Sequence, residues 1–441
     1  MNKNQIIKGF SKLSPEEKRT LVSGFAKEPR AALKTLSSFF HPDDAIQKIL
    51  SEFSENTLTN FPLPFSVAPN FLINGNIYMV PMVIEESSVV AAASSAARFW
   101  AVRGGFTARV RGTEKNGQLH FKYSGNPARL IAAMPEIEAW LRTRTDSLAE
   151  NMTRRGGGIT SLTLREFPEI EAGYFQLIAG FETADAMGAN FINSVLEEFG
   201  VGLQEFLASH SGFREEDYEP LMAILSNYCP GCTVEVVAEC PVEALGMVGG
   251  IHPEDFAERF LMAVKIAEMD VFRATTHNKG IMNGVDAVVL ATGNDFRAIE
   301  AGAHAWASRS GQYRSLSQAS MEGGVFRFSL ELPMAVGTVG GLTRLHPLAD
   351  FSLQLMGNPN AQDLMMIAAA AGLANNFAAL RSLVTTGIQA GHMRMHLPNI
   401  LLQLGATPEE RAIAEDYFSD KKPSHQAVAG FIKRIREGGG P

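Results

Sequence analysis

Gly104-Gly105-Phe106-Thr107-Ala108-Arg109-Val110-Arg111 is the stretch on which the fold turns. The glycine pair reads as a boundary. After it Phe106, Ala108 and Val110 alternate with Thr107, Arg109 and Arg111, the period of a half-buried strand. A little further on, Asn116-Gly117 predicts a hairpin turn into a strand over residues 118–123. The pattern then predicts a helix over 135–152, a glycine turn at Gly156-Gly157-Gly158, strands near 162–164 and 174–181, a helix over 190–208 and a returning strand over 233–238. Antiparallel strands with two interspersed helices make a compact α+β unit. Its flanks differ: a buried strand over 77–84 is followed by a small-residue helix over 89–100, where alanines and serines allow close approach of another backbone. The α+β unit therefore reads as an insertion into a larger, helix-rich domain.

The ends of the chain carry helix signals. Ser14-Pro15-Glu16-Glu17 and Thr407-Pro408-Glu409-Glu410 both have the form of a capping box with proline at the first helical position. Val428, Phe431, Ile432 and Ile435 form an amphipathic stripe, so the C-terminus is expected to be a separate helical piece, with Gly387 and Gly391 as hinges before it. The expected division is a large domain from 1–112 and 229–386, a small domain at 113–228 and a C-terminal flap at 387–441.

With 441 residues, 46% hydrophobic and 20% charged, the chain needs more than one core and is globular in character. A net charge of -8 with no basic run argues against nucleic-acid binding. The N-terminal residues lack the apolar core of a signal peptide, and the richest apolar segment, 364–384, is interrupted by Asn375, Asn376 and Arg381. A cytoplasmic protein with no membrane partner is expected. The three cysteines, Cys229, Cys232 and Cys240, are too few for a disulfide framework and suggest a reducing compartment. Cys229-Pro230-Gly231-Cys232 has redox or zinc spacing, but no second pair completes a zinc site, and strand-edge cysteines are the simpler reading.

Glycine-rich nucleotide fingerprints, H-E-x-x-H and the G-x-S-x-G elbow are missing. Five polar spots stand out instead. Glu85-Glu86-Ser87-Ser88 ends an apolar strand and opens a helix, as a cap or as a buried proton donor. The run from Arg273 to Gly284 is dense in Arg, Thr, His, Asn, Lys and Gly, and it reads as a loop cradling an anionic ligand. Ala291-Thr292-Gly293-Asn294-Asp295 follows the apolar run 287–290 and reads as a strand end delivering Asn and Asp to a site. Lys279 and Asp295 are then expected to form an ion pair. Gly391-His392-Met393-Arg394-Met395-His396 offers two histidines at i, i+4 without a third metal ligand, or a single general-acid histidine on a mobile element. Asp185-Ala186-Met187-Gly188-Ala189-Asn190 joins a strand to a helix through small residues, either a tight turn or a phosphate-facing helix start.

Together these segments resemble the class II hydroxymethylglutaryl-coenzyme A reductase family, the soluble bacterial and archaeal form. The match runs through Glu85-Glu86-x-Ser88, Asp185 to Asn190, Thr276 to Gly284, Ala291 to Asp295, Glu300-Ala301-Gly302-Ala303-His304, the Val336-Gly337-x-Val339-Gly340-Gly341 run and Gly391-His392-Met393, in order, over residues 56–396. The resemblance implies a large helical domain interrupted by a small ferredoxin-like, non-Rossmann cofactor domain, with a C-terminal flap. It implies two-step reduction of 3-hydroxy-3-methylglutaryl-coenzyme A to mevalonate and coenzyme A, through mevaldyl-coenzyme A and mevaldehyde, or the reverse. By the same resemblance Glu86 is the catalytic acid, Lys279 the oxyanion-stabilising lysine, Asp295 the aspartate linking them and His392 the donor to the departing thiolate. Ser88, Arg273, Asn283 and Asn376 match positions that hold the acyl group. Asp185, Met187, Gly188, Asn190 and Asn227 fall in the dinucleotide-binding positions. No metal is implied, and a homodimer or higher assembly with shared active sites is.

Two departures leave that chemistry untouched: Ser87 replaces a proline, and Thr59 stands where glycine is usual. A third bears on the cofactor. NADH-preferring members carry an aspartate seven residues before the triple glycine, where this chain has Ala149, and the nearest aspartate is Asp146. Arg154 and Arg155 beside the turn could meet a 2′-phosphate, so NADPH is expected over NADH. The same two arginines could equally be solvated surface charges. The competing readings are a non-catalytic acyl-coenzyme A-binding homologue, which would have lost one of Glu86, Lys279, Asp295 and His392, and another NAD(P)-dependent acyl-coenzyme A reductase, which need not keep Arg273 or Asn283.

Overall fold

In the computed structural model, which describes residues 6–385, 397–419, 421 and 423–438, the strands on either side of Arg111 belong to different sheets. Helices α1 (Pro15–Ser23), α2 (Pro29–Ser38) and α3 (Asp44–Glu52) precede an antiparallel hairpin of β1 (Phe65–Ile73) and β2 (Asn76–Val83), which runs into α4 (Ser87–Ala101). Strand β3 (Thr107–Val110) follows. Next come β4 (Lys115–Tyr123), α5 (Pro127–Ala132), α6 (Met134–Thr153), β5 (Gly158–Glu166), β6 (Tyr174–Glu182), α7 (Ala189–Ser209) and β7 (Tyr218–Leu225). These strands form a sheet in the order β5-β6-β4-β7 with every pairing antiparallel. That is the ferredoxin-like split βαβ arrangement, unlike the mostly parallel sheet of a Rossmann unit. The chain then returns as β8 (Thr233–Pro241), which pairs with β3 and so closes the insertion where it opened.

Asn116 and Gly117 are not a hairpin turn: they lie inside β4, opposite Gly180 and Ala179 of β6. The chain changes sheets between β3 and β4, so nothing has to reverse there. Gly117 answers a packing need, because a Cβ at that position would stand 2.5 Å from Leu196 Cδ1 on α7.

The second part of the helix-rich layer holds α8 (Pro253–Met269), α9 (Val271–Ala291), α10 (Phe296–Ala307), β9 (Ser317–Glu322), β10 (Val325–Pro333), α11 (Leu342–Leu345), α12 (Pro347–Leu355) and α13 (Ala361–Val384). Strands β9 and β10 complete the second four-stranded sheet, in the order β3-β8-β10-β9. Two further expectations fail here. Residues 273–284 are helical, inside α9, and the apolar run 287–290 continues that helix rather than forming a strand. The reason is the 3.6-residue period. Ala274, His277, Asn278, Ile281, Met282, Val285, Val288 and Val289 form the buried side of α9. Arg273, Thr276, Lys279, Gly280 and Asn283 fall on another face, polar because it borders a cavity. A polar stripe on a buried helix reads, in one dimension, like a loop.

Helix α13 is long and apolar enough by composition to cross a membrane, but its apolar window is 83% buried within the protein. It packs directly on α9: a Cβ at Gly284 would stand 2.3 Å from the Ala371 carbonyl oxygen. One core gathers Trp100, Phe260, Phe326 and Phe377 beneath these helices. A second lies under α6 and α7, with Phe121, Phe175, Phe199 and Phe206. A third unites Leu401, Ala414, Val428, Phe431 and Ile432 around α14 (Pro408–Tyr417) and α15 (His425–Arg436). Both predicted capping boxes form, on Ser14 and on Thr407.

Candidate active site

Six residues selected from sequence converge on one open cavity of about 780 Å³ between α4, α9 and α13: Glu86, Ser88, Arg273, Lys279, Asn283 and Asn376. Glu86 occupies the N-cap position of α4, yet its side chain makes no capping bond. The Ser88 hydroxyl donates to Glu86 Oε1 at 2.6 Å, and the Lys279 ammonium donates to Glu86 Oε2 at 3.2 Å. The carboxylate is therefore aimed across the cavity at α9. An amine and a carboxyl in contact can stabilise charge on an oxygen and deliver a proton to it in the same place.

Arg273 is half-buried beside them and, among the described residues, has no ion-pair or hydrogen-bond partner. Burial pulls its pKa below the ordinary guanidinium value. A partly desolvated guanidinium facing a cavity suits a carboxylate ligand.

Asn376 is held from behind by residues that the sequence did not single out. Its Oδ1 accepts from the Ser317 hydroxyl at 2.9 Å, and its Nδ2 donates to the His277 carbonyl at 3.3 Å. With its proton committed to Asn376, Ser317 accepts from His277 Nε2 at 2.6 Å, which assigns the Nε2–H tautomer. Burial, then the nearby Arg273 charge, pushes the His277 pKa down to about 3, so its ring stays neutral. The available signal for this network was a histidine spaced onto the buried face of a periodic helix. Arg381 also lines the cavity, donating to the Ser95 hydroxyl at 2.8 Å.

Asp295 is elsewhere. It caps α10, accepting from the Arg297 and Ala298 amides, and pairs with the Arg297 side chain at 3.0 Å. The expected Lys279–Asp295 ion pair is not formed within the chain, where Lys279 pairs with Glu86 instead. Lys279 lies twelve residues before the end of α9, about 18 Å along the helix axis. His392 lies outside the described residues, as does His396.

Of the proposed dinucleotide residues, Met187 and Asn227 meet at the seam between the two four-stranded sheets. Gly188 caps α7 with a φ of 88°. Asp185 fastens this turn to the large domain: its Oδ1 accepts from Ala361 N at 2.9 Å and its carbonyl from Thr338 N at 2.8 Å. The Val336–Gly341 run is tied in turn to Asn294, whose Oδ1 accepts from Gly337 N at 2.8 Å. Met187 and Asn227 line a small cavity that they share with Lys115, Gly302 and Pro333. Asn190 is exposed in the first turn of α7, and Arg154 and Arg155 are exposed at the end of α6. The cysteines are free and buried. Among the described residues no group of three or more His, Cys, Asp or Glu could hold a metal ion.

The chain matches the model of the hydroxymethylglutaryl-coenzyme A reductase family over residues 14–397. It is 38% identical to the 3-hydroxy-3-methylglutaryl-coenzyme A reductase of Archaeoglobus fulgidus over 98% of this chain and 94% of that one. To a probable enzyme of the same name from Borreliella burgdorferi it is 33% identical, over 90% and 87%. The fold superposes on the class II enzyme of Streptococcus pneumoniae, solved bound to NADPH in open conformations, with a TM-score of 0.72 and 35% identity over 93% of this chain and 100% of that one. The chain belongs to the hydroxymethylglutaryl-coenzyme A reductase family, in its class II form.

Proposed function

We propose that the cavity between α4, α9 and α13 is the acyl-binding half of an active site that reduces 3-hydroxy-3-methylglutaryl-coenzyme A to mevalonate and coenzyme A, or runs the reverse. The contact that carries this reading is Lys279 on Glu86, with Ser88 on the second carboxylate oxygen and Arg273 beside them without a partner among the described residues. Two reduced nicotinamide cofactors, bound in turn, would supply the two hydrides, one each. Each hydride reaching the carbonyl carbon leaves negative charge on its oxygen, and the Lys279 ammonium stabilises that charge in both steps. Glu86 returns a proton to the same oxygen. Arg273 takes the substrate carboxylate, while Ser88, Asn283 and Asn376 bind the branched hydroxyl end. Departing coenzyme A thiolate needs a proton between the two steps, a role assigned to His392.

Met187, Gly188, Asn190 and Asn227 would hold the dinucleotide, and the seam cavity fits this because a buried lysine lines it. Asp185 acts by positioning the turn, since its carboxylate already serves Ala361. NADPH preference is supported by Arg154 and Arg155. Gly158 pairs with Glu182, which sets their turn at the same sheet end as the start of α7.

The separation of Asp295 from Lys279 favours a homodimer in which a second copy brings its Asp295 to the Lys279 of the first. Phe272, which lines the cavity and is exposed, gives such a partner an apolar contact. Residues 1–112 and 229–386 are taken as the large domain, 113–228 as the small domain and 387–441 as the flap. A cytoplasmic setting agrees with three free thiols.

The test is absorbance at the reduced-nicotinamide band with hydroxymethylglutaryl-coenzyme A, using NADH and NADPH separately. Oxidation of one or both is expected, faster with NADPH. No oxidation of either would overturn the reading.

A further inference from the structure

Four chain segments meet at the end of the small sheet that faces the large domain: the start of β5, the end of β6, the start of β4 and the end of β7. Lys115 is the first residue of β4 and is only 4% exposed. Among the described residues its side chain makes no hydrogen bond or ion pair. The adjacent carboxylates are engaged elsewhere. Glu114 accepts from the Thr160 hydroxyl at 2.6 Å, and Glu182 accepts from the Thr113 hydroxyl and from Ala184 N. Nor do the thiols of the Cys229–Cys232 pair serve as counter-ions, because burial pushes both up, Cys232 to about 12, against the pull of the Lys115 charge. A buried ammonium without a counter-ion is costly, and proteins keep one where a ligand completes it.

The space beside Lys115 is small, about 20 Å³, enough for a single oxygen reaching in. Its other walls include Met187, Ser226 and Asn227 from the small sheet's loops, Ile192 from α7, and Ala298 and Gly302 from α10. Helix α7, 21 residues long, begins at the same place and presents the partial positive charge of its N-terminus. Across the sheet end the order is Arg154 and Arg155 by β5, the 183–188 turn by β6, Lys115 on β4 and Asn227 after β7. Strands β5 and β4 are two spacings apart, about 10 Å. A dinucleotide lying along this row with its adenosine end at the arginines and its nicotinamide end toward Asn227 puts its pyrophosphate in the middle.

We propose that Lys115 is a cofactor-binding residue that receives a pyrophosphate oxygen of the dinucleotide, together with the N-terminus of α7. This rests on the dinucleotide reading above. It predicts that Lys115 serves NADH and NADPH alike, whereas Arg154 and Arg155 separate them.

The experiment is calorimetric titration of the full chain with NADH, NADPH and ADP-ribose, comparing wild type, Lys115→Met and Lys115→Arg. Loss of a charge-assisted hydrogen bond should weaken all three ligands about 10- to 100-fold in Lys115→Met. Lys115→Arg, which keeps the charge, should lose less. Wild-type affinity should also fall more steeply with salt than that of Lys115→Met, a difference that a purely structural lysine would not produce. Unchanged ADP-ribose affinity in Lys115→Met overturns the proposal, as does a loss confined to NADPH. Wild type that binds none of the three would instead bring down the dinucleotide reading, and this proposal with it.

Discussion

Replacing Lys279 with methionine keeps the length of the side chain and removes its charge, so it isolates what the ammonium does. Its contact with Glu86 is 3.2 Å long, but the two side chains are 62% and 38% exposed. At that distance Coulomb attraction ranges from about 1 kcal/mol in water to about 5 kcal/mol at an effective dielectric of 20. Exposure on this scale puts the net contribution near the bottom, about 0–1 kcal/mol. The folded state should therefore hardly notice the change, and a urea-unfolding midpoint should move little. The reaction should notice it twice. Losing one preorganised donor to an oxyanion costs about 100- to 1000-fold, or about 2.7–4 kcal/mol of barrier. Both the thioester step and the separate reduction of added mevaldehyde should fall by at least that range, followed at the reduced-nicotinamide band. If either half-reaction keeps its rate within about tenfold, or if the loss of activity tracks a loss of folded protein, the oxyanion role for Lys279 is wrong.

His392→Gln should impair thioester reduction while sparing mevaldehyde, and equal loss of both would contradict a thiolate-protonating role. Ser317→Ala removes the hydroxyl between His277 and Asn376 and should cost about 1–3 kcal/mol in urea unfolding. It should also raise KM for the acyl substrate without raising that for the dinucleotide; an unmoved acyl KM would mean that Asn376 is not held for binding. Asp286 on α9 has a buried oxygen without a partner, and burial, then the Glu300 charge, pushes its pKa up to about 8. The folded chain keeps a proton there that the unfolded chain releases near pH 4, so this group costs stability increasingly as pH rises from about 4 to 8. Asp286→Asn should accordingly be more stable than wild type at pH 8 and show no such gain at pH 4; a gain independent of pH would exclude the titration. Finally, refolding a mixture of Lys279→Met and Asp295→Asn chains should recover about a quarter of wild-type activity if each site of a symmetric dimer draws on both copies. Mixed dimers without activity would mean that the site is not shared.

Much of the fold was legible because it is written in local chemistry. Helix α6 and helix α7 begin and end within a residue or so of where their apolar period places them, and Ser14 and Thr407 cap as their spacing requires. The exceptions share one cause. Asn116-Gly117 has the composition of a turn but sits mid-strand, because α7 needs a residue without a side chain at Gly117. The 273–284 run has the composition of a loop but is helical, because its polar stripe faces a cavity rather than bulk water. In both cases a neighbour distant in sequence overrides the local signal.

The same division holds for the site. From the order and identity of its residues alone, the sequence determined the family and the reaction class, and it picked out Glu86, Ser88, Arg273, Lys279, Asn283 and Asn376, six residues that line one cavity. Only the tertiary structure decided which charges meet. Lys279 pairs with Glu86, 193 positions earlier, and not with Asp295, sixteen positions later. A rigid helix carries the chain about 18 Å along its axis between Lys279 and the end of α9, before Asp295 is reached. The packing of α4 against α9 brings the distant one into contact, and no pattern of spacing along the chain encodes that choice.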